Sequence, residues 1–156
     1  MAGSAAEGGI APDFSLTADS GDVVSLKDFR GRKLVLYFYP KADTPGCSKE
    51  AMEFNRLRPE FEAISTSIVG VSADPVKAQA KFKAKYELAF PLASDPTHEM
   101  LEAYGVWTEK SMYGRKYMGI ERTTFLIGAD GRIARIWSKV KVPGHAEEVL
   151  EAAKIL

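Results

Sequence analysis

The feature that most constrains the fold is a pair of apolar runs separated by a helical segment. The runs cover residues 34–39 and 67–72. Short runs that are apolar throughout, rather than at alternate positions, predict buried strands. Between them, residues 45–57 predict an α-helix, which is the crossover that a parallel pair of strands requires. These three segments predict an α/β protein.

Further segments extend this unit in both directions. Predicted strands cover residues 11–16, 23–26, 90–93, 120–127 and 132–138. Predicted helical segments cover residues 59–64, where Pro59 interrupts or bends the preceding helix, then 75–86 with Asp74 as its cap, 97–104 and 144–154. The last two strands flank Ala129-Asp130-Gly131, a turn typical of an antiparallel hairpin. We expect a mixed central sheet flanked by helices on both faces, as in a thioredoxin-like fold.

Length and charge narrow the classes of function. A chain of 156 residues predicts one domain, here residues 10–156, preceded by a flexible tail over residues 1–9. The tail lacks the basic start and apolar core of a signal peptide, so we expect a cytoplasmic protein. Twenty-one basic and twenty-one acidic residues balance, which gives no argument for a nucleic-acid or anionic membrane partner. No apolar run approaches the ~18 residues of a membrane span.

Cys47 is the only cysteine in the chain. It can therefore form no internal disulfide and no cysteine-rich metal site. It falls in the first turn of the helix that begins at Pro45, with Thr44 at the N-cap position. Free backbone N–H groups and the positive end of the helix dipole lie there, and both favour a thiolate. The sequence thus predicts a reactive thiol; the alternative is a small buried apolar residue.

The residues around Cys47 resemble the active-site signature of the peroxiredoxins. Pro40, Thr44 and Cys47 have the spacing Pro-x-x-x-Thr-x-x-Cys. The longer string over residues 36–47 is similar to the subgroup called bacterioferritin comigratory protein, or PrxQ. Later motifs match in order, so the likeness covers about residues 11–150.

The resemblance implies a thioredoxin-like fold and a thiol peroxidase. We expect no cofactor, and no metal site, because the two histidines are far apart and have no cysteine partner at ligand spacing. Cys47 would attack hydrogen peroxide or an organic hydroperoxide and become a sulfenic acid. Thr44 would hydrogen-bond the peroxide, and Arg122 would hold both thiolate and peroxide. The substrate-binding residues that the likeness adds are Pro40, Gly46 and Glu50. Of these, Pro40 would shield the pocket and Glu50 would orient the arginine.

Several of these residues have a simpler explanation that the sequence leaves open. Thr44 alternatively serves only as the helix cap, and Pro40 only ends a strand. Arg122 alternatively is one of many basic surface residues, and Glu50 lies on a solvated helix face. His145 is predicted to be a cap or packing residue rather than a catalyst.

The chemistry explains why a thiolate alone is not enough. The thiolate attacks one peroxide oxygen while the other leaves with negative charge. Removing one preorganised donor to such a charge typically costs about 3–4 kcal/mol. A guanidinium supplies several fixed donors and never deprotonates. We therefore expect the groups of Thr44 and Arg122 to contribute more than the supply of thiolate.

The chain departs from many PrxQ-like proteins in lacking a second, resolving cysteine. The positions where relatives carry one are Met52 and Lys83 here. We expect a one-cysteine cycle in which an external thiol (thioredoxin, glutaredoxin or glutathione) reduces the sulfenic acid. The subgroup predicts a monomer. The alternative function is a peroxide-sensing redox switch or binding module that uses Cys47 oxidation.

Overall fold

The structure is a computed structural model and describes residues 5–156. Its strands are β1 Ser15–Ala18, β2 Val23–Ser25, β3 Lys33–Phe38, β4 Thr66–Ser72, β5 Leu92–Ser94, β6 Trp107–Met112, β7 Arg115–Ile120, β8 Thr123–Ile127 and β9 Ile133–Trp137. Its α-helices are α1 Pro45–Ala63, α2 Val76–Tyr86, α3 Glu99–Ala103 and α4 His145–Lys154, and a short 3₁₀ helix covers Leu26–Phe29. No helix within the described residues is both long and apolar enough to cross a membrane.

Seven of these strands form one sheet in the order β2-β1-β5-β4-β3-β8-β9. The central strands β5, β4 and β3 run parallel to one another. The remaining pairs, β1 with β2, β1 with β5, β3 with β8 and β8 with β9, are antiparallel. The predicted mixed central sheet is confirmed.

Strand β3 shows why a strand at the centre of this sheet is apolar at successive positions. Side chains alternate along a strand, so Val35 and Tyr37 face one apolar layer while Leu36 and Phe38 face the other. Helices α1, α2 and α4 pack on the first face, and α3 with the N-terminal segment packs on the second. Because both faces are covered, Leu34 to Phe38 are all buried and none of them is charged, and the prediction of helices on both faces is confirmed.

The helices depart from the predictions at Pro59 and at Asp74. The two-piece helix was wrong, since α1 continues through Pro59. Pro59 is exposed, so water can hydrate the carbonyl that loses its N–H partner. Helix α2 begins at Val76 with Pro75 at its N-cap, and Asp74 does not cap it. The Asp74 carboxylate instead accepts hydrogen bonds from the Ala42 N–H at 2.7 Å and from Ser72 Oγ at 2.6 Å.

The hairpin of β6 and β7 had no counterpart in the predictions. It forms a separate two-stranded sheet. Its turn residues, Tyr113 and Gly114, have φ values of 52° and 77°. Such turns favour Asn-Gly, and a tyrosine in the left-handed region gives no turn signal. The predicted strand over residues 120–127 is therefore split, and Arg122 lies in the link between β7 and β8.

The predicted flexible tail covers residues 1–9, of which 1–4 lie outside the described residues. The Gly8 N–H donates to the Ile133 carbonyl at 2.8 Å, and the Ile133 N–H donates to the Gly9 carbonyl at 2.8 Å. The Glu7 carboxylate accepts from the Ile136 N–H at 3.0 Å. These bonds place this part of the segment against the open edge of β9.

Candidate active site

The segment between β3 and α1 lies at the carboxyl end of a central parallel strand, where open α/β sheets commonly place their sites. Its conformation is held from the side of α2. The Asp43 backbone has a φ of 60°. Its carboxylate accepts hydrogen bonds from Lys85 Nζ and from the Tyr86 hydroxyl, each at 3.0 Å. Together with the bond from the Ala42 N–H to Asp74, these contacts fix the entry to α1.

Cys47 occupies the first turn of α1 and is 1% exposed. Arg122 Nη2 donates a hydrogen bond to its Sγ at 3.3 Å. A positive charge at this distance stabilises a thiolate, but it does not stabilise a neutral side chain that only fills space in the core. The burial is compatible with the alternative of a structural cysteine, whereas the contact with the guanidinium supports the prediction of a reactive thiol.

Arg122 is held in turn by Glu50. Arg122 Nη1 donates to Glu50 Oε1 at 2.7 Å, and the side chains are 16% and 1% exposed. Burial lowers the pKa of Arg122, but Glu50 and Cys47 raise it by more, so the pKa lies above its usual value. Each end nitrogen of the guanidinium thus has its own partner. Neither residue matches the alternative of a solvated surface side chain.

The register of the sheet brings Arg122 to the thiol. In the antiparallel pair of β3 and β8, Phe38 lies opposite Thr123. Arg122 directly precedes Thr123, and the loop that leads to Cys47 directly follows Phe38. Arg122 and Cys47 are 75 residues apart in the sequence. The pairing of β3 with β8 therefore brings two distant segments together at one edge of the sheet.

Glu50 is an unusual carboxyl group because burial raises its pKa to about 7, against the lowering effect of Arg122. The nearby Glu53 raises the pKa further. Glu50 Oε2 and Glu53 Oε1 are both shielded from solvent and have no hydrogen-bond partner within residues 5–156. Burial thus favours the neutral form of the Glu50 carboxyl, whereas the ion pair with Arg122 favours the carboxylate.

Gly46 contributes space rather than a functional group. A Cβ atom added at this position would lie 3.2 Å from Arg122 Nη2. This is closer than most side-chain carbons approach, so any other residue would displace the guanidinium. Glycine here permits the close approach of Arg122 to Cys47.

Thr44 and Pro40 lie on the loop before Cys47. Thr44 is the N-cap residue by position, but in the described part of the chain its side chain makes no capping hydrogen bond. Its hydroxyl donates instead to the Lys41 carbonyl at 2.8 Å. The proton is therefore committed, and the oxygen lone pairs remain to accept a bond from a ligand. Pro40 is half-buried at the start of the loop.

His145 packs beside the strand that follows Arg122, and the sequence pattern did not indicate this contact. Its Nε2 lies 2.8 Å from Thr124 Oγ1, and its ring meets Phe54 and Trp137 edge to face. Burial lowers its pKa to about 4, although Glu148 raises it. The ring is neutral near pH 7, which fits the predicted packing role. No group of three His, Cys, Asp or Glu side chains suited to a metal ion occurs in residues 5–156.

Comparisons of sequence agree with this geometry. The AhpC/TSA family model matches residues 8–136. The putative peroxiredoxin bcp of Coxiella burnetii is 49% identical over 140 residues, covering 90% of this chain and 93% of that protein. The peroxiredoxin Bcp of Bacillus subtilis is 46% identical over 144 residues, covering 92% of each.

Comparisons of structure give the same result. Peroxiredoxin Q of Xanthomonas campestris has a TM-score of 0.88 at 46% identity, covering 91% of this chain and 90% of that one. The bacterioferritin comigratory protein of that organism, solved as trapped intermediate and ligand complexes to explain its alkyl peroxide reduction, has a TM-score of 0.88 at 45% identity and the same coverage. The predicted thioredoxin-like fold is confirmed. The chain belongs to the AhpC/TSA family and, within it, to the Bcp/PrxQ peroxiredoxins.

Proposed function

We propose that the protein is a thiol-dependent peroxidase that reduces hydrogen peroxide and organic hydroperoxides through a sulfenic acid on Cys47. The observation that carries this proposal is the contact of Arg122 Nη2 with the buried Cys47 Sγ at 3.3 Å. The alkyl peroxide reduction of the related Xanthomonas protein supports the same substrate class.

In the first step, the Cys47 thiolate attacks one peroxide oxygen. An S–O bond forms, the O–O bond breaks, and the far oxygen leaves and takes up a proton to become an alcohol or water. The Arg122 guanidinium, already directed at the sulfur, stabilises both the thiolate and the charge on the departing oxygen. The Thr44 hydroxyl accepts a hydrogen bond from the peroxide O–H, since its own proton is given to Lys41.

Three further residues shape this step. Glu50 fixes the direction of the guanidinium through its bond to Nη1. Gly46 leaves room for Nη2 beside the sulfur. Pro40, half-buried at the start of the loop, shields the reacting atoms from water.

The second step requires a thiol from outside the chain. The two positions where relatives carry a resolving cysteine do not supply one. Met52 is 44% exposed on α1, and Lys83 on α2 forms an ion pair with Asp19 at 3.2 Å. Thioredoxin, glutaredoxin or glutathione therefore reduces the sulfenic acid. The unpaired Cys47 thiol supports a reducing, cytoplasmic location and a monomer that needs no bridge between chains.

The test is steady-state consumption of hydrogen peroxide and of an organic hydroperoxide, with each reductant added in turn. Many turnovers per subunit are expected with at least one thiol, and mass spectrometry should find the sulfenic acid or its mixed disulfide on Cys47. A single stoichiometric burst with every reductant would instead favour the redox switch. Turnover in a Cys47→Ser variant would overturn the assignment of the thiol.

A further inference from the structure

A second concave surface lies beside the active site, between the end of β9 and the start of α4. It is a groove of about 580 Å³, which is within the size range of small-ligand sites. The residues that matter for its chemistry are Trp137, Lys139, Lys141, His145 and Glu148. No residue between 40 and 50 lines it, so it is distinct from the pocket of the thiol.

Two hydrogen bonds join this groove to the active site. The Val140 N–H donates to the Arg122 carbonyl at 3.0 Å. On the other wall, His145 Nε2 pairs with Thr124 Oγ1, two residues beyond Arg122. The backbone of Arg122 is therefore bonded to a residue that lines the groove, while its guanidinium contacts Cys47 Sγ at 3.3 Å. A ligand in the groove therefore lies against the segment that is bonded to Arg122, and the arginine side chain links this segment to the sulfur.

The charges in the groove are unbalanced. Lys139 and Lys141 are exposed, and neither has a carboxylate within 4 Å in residues 5–156. Glu148 is already engaged, because its Oε2 accepts from Trp137 Nε1 at 2.6 Å and lies 3.5 Å from Arg135 Nη2. The groove thus presents two free ammonium groups beside an indole ring, a combination that favours a small anionic ligand.

We propose that this groove binds a small thiol that carries carboxylate groups, represented by glutathione, and delivers it to the sulfenic acid of Cys47. The inference rests on the proposed function, since it names the reductant that the second step requires. The lysines receive the carboxylates, Trp137 contacts the apolar part, and the bound thiol is held at a high local concentration next to the segment bonded to Arg122.

The reaction balances with two equivalents of this thiol. The first thiolate attacks the sulfenic sulfur of Cys47, so that an S–S bond forms, the S–O bond breaks and the hydroxide leaves with a proton as water. A second thiolate attacks the sulfur of the bound thiol in the mixed disulfide. The Cys47 thiolate is released, and the two external thiols leave as their disulfide.

Binding is tested with S-methylglutathione, which cannot react. In a Trp107→Phe background, Trp137 is the one remaining tryptophan, and its fluorescence should change in a saturable way at millimolar ligand. A Lys139→Gln/Lys141→Gln variant should lose this change. The control Lys27→Gln/Lys116→Gln removes two exposed lysines elsewhere and should retain it. Absence of any saturable change in the parent protein would overturn the proposal.

Kinetics separate this inference from the proposed function. Protein oxidised by one equivalent of peroxide is mixed with glutathione or with uncharged 2-mercaptoethanol. The Lys139→Gln/Lys141→Gln variant should need about threefold to tenfold more glutathione for the same rate, with its peroxide burst and its rate with 2-mercaptoethanol unchanged. Equal glutathione kinetics in variant and parent would overturn the groove alone. Failure of peroxide to oxidise Cys47 would overturn the peroxidase itself.

Discussion

The active site and the β6–β7 hairpin meet at Arg122, yet they differ in the burial and the polarity of their side chains. At the site, the Arg122 side chain is 16% exposed and bonds to groups that are almost fully buried. On the hairpin, Tyr113 is 98% exposed, and its apolar neighbours Met112 and Met118 are about half exposed. One region removes charges from water, and the other leaves large apolar side chains in it.

The difference shows where a substitution has a large energetic effect. A buried charge is tolerated only while its partner remains, because the partner replaces the water that burial removed. Arg122, Glu50 and Cys47 therefore depend on one another. An exposed side chain on the hairpin has no such dependence, so a substitution there provides a matched control for the same change at the site.

The largest expected effect is the loss of all peroxide turnover in Cys47→Ser. A serine hydroxyl remains protonated near neutral pH and cannot form the sulfenic acid. The measurement is peroxide consumption with an external thiol in excess. As a control from the exposed region, Tyr113→Ser should turn over like the parent, and a defect there would break the comparison.

Next in size is Arg122→Met. Loss of one preorganised donor of about 3–4 kcal/mol should lower the second-order rate constant for peroxide by about 100-fold or more. Stopped-flow oxidation of Cys47 gives the rate constant, and circular dichroism checks that the fold persists. Arg115→Met on the hairpin is the control. Unchanged kinetics in Arg122→Met would transfer the role to another arginine.

The buried Glu50 carboxyl should give stability an unusual pH dependence. Its pKa is about 7 in the folded protein against an ordinary 4.5, so the folded state binds the proton more tightly than the unfolded state. Tighter proton binding by folded Glu50 adds to the free energy of unfolding. The added stability is fully present below about pH 4.5 and is lost as pH rises through about 7.

The measurement is urea unfolding of the parent and of Glu50→Gln at about pH 5 and about pH 8. Between these values the parent should lose up to about 3 kcal/mol relative to the variant. A Glu109→Gln change on the hairpin should show no such difference. Parallel stability curves for the parent and Glu50→Gln would contradict the raised pKa.

The smallest expected effect is that of Gly46→Ala. The added Cβ would lie 3.2 Å from Arg122 Nη2 and move the guanidinium by a few tenths of an ångström, which should lower the peroxide rate constant by about threefold to tenfold. Gly119→Ala on the hairpin sharpens the comparison, since its Cβ would be 3.1 Å from the flexible Lys110 side chain. Equal rates in both variants would show that the guanidinium has more freedom than its contacts suggest.

Much of the fold and the nucleophile could be predicted because their signals are local. The apolar run in β3 and the turn before α1 are continuous stretches of chain, so local propensity and the proline at the start of α1 position Cys47 without reference to the rest of the molecule. Local signals failed at the β6–β7 turn, where Tyr113 adopts a positive φ, and at Pro59, where an exposed helix face tolerates proline.

The sequence by itself determined the two-sided sheet, the position of the thiol in the first turn of α1 and the absence of a second thiol. Only the tertiary structure decided which guanidinium meets that thiol. The pairing of Phe38 with Thr123 sets the register that brings Arg122 to the loop, and Glu50 holds it there. Burial also raised the pKa of Glu50, because the cost of removing a carboxylate from water depends on what surrounds it and not on its position in the chain.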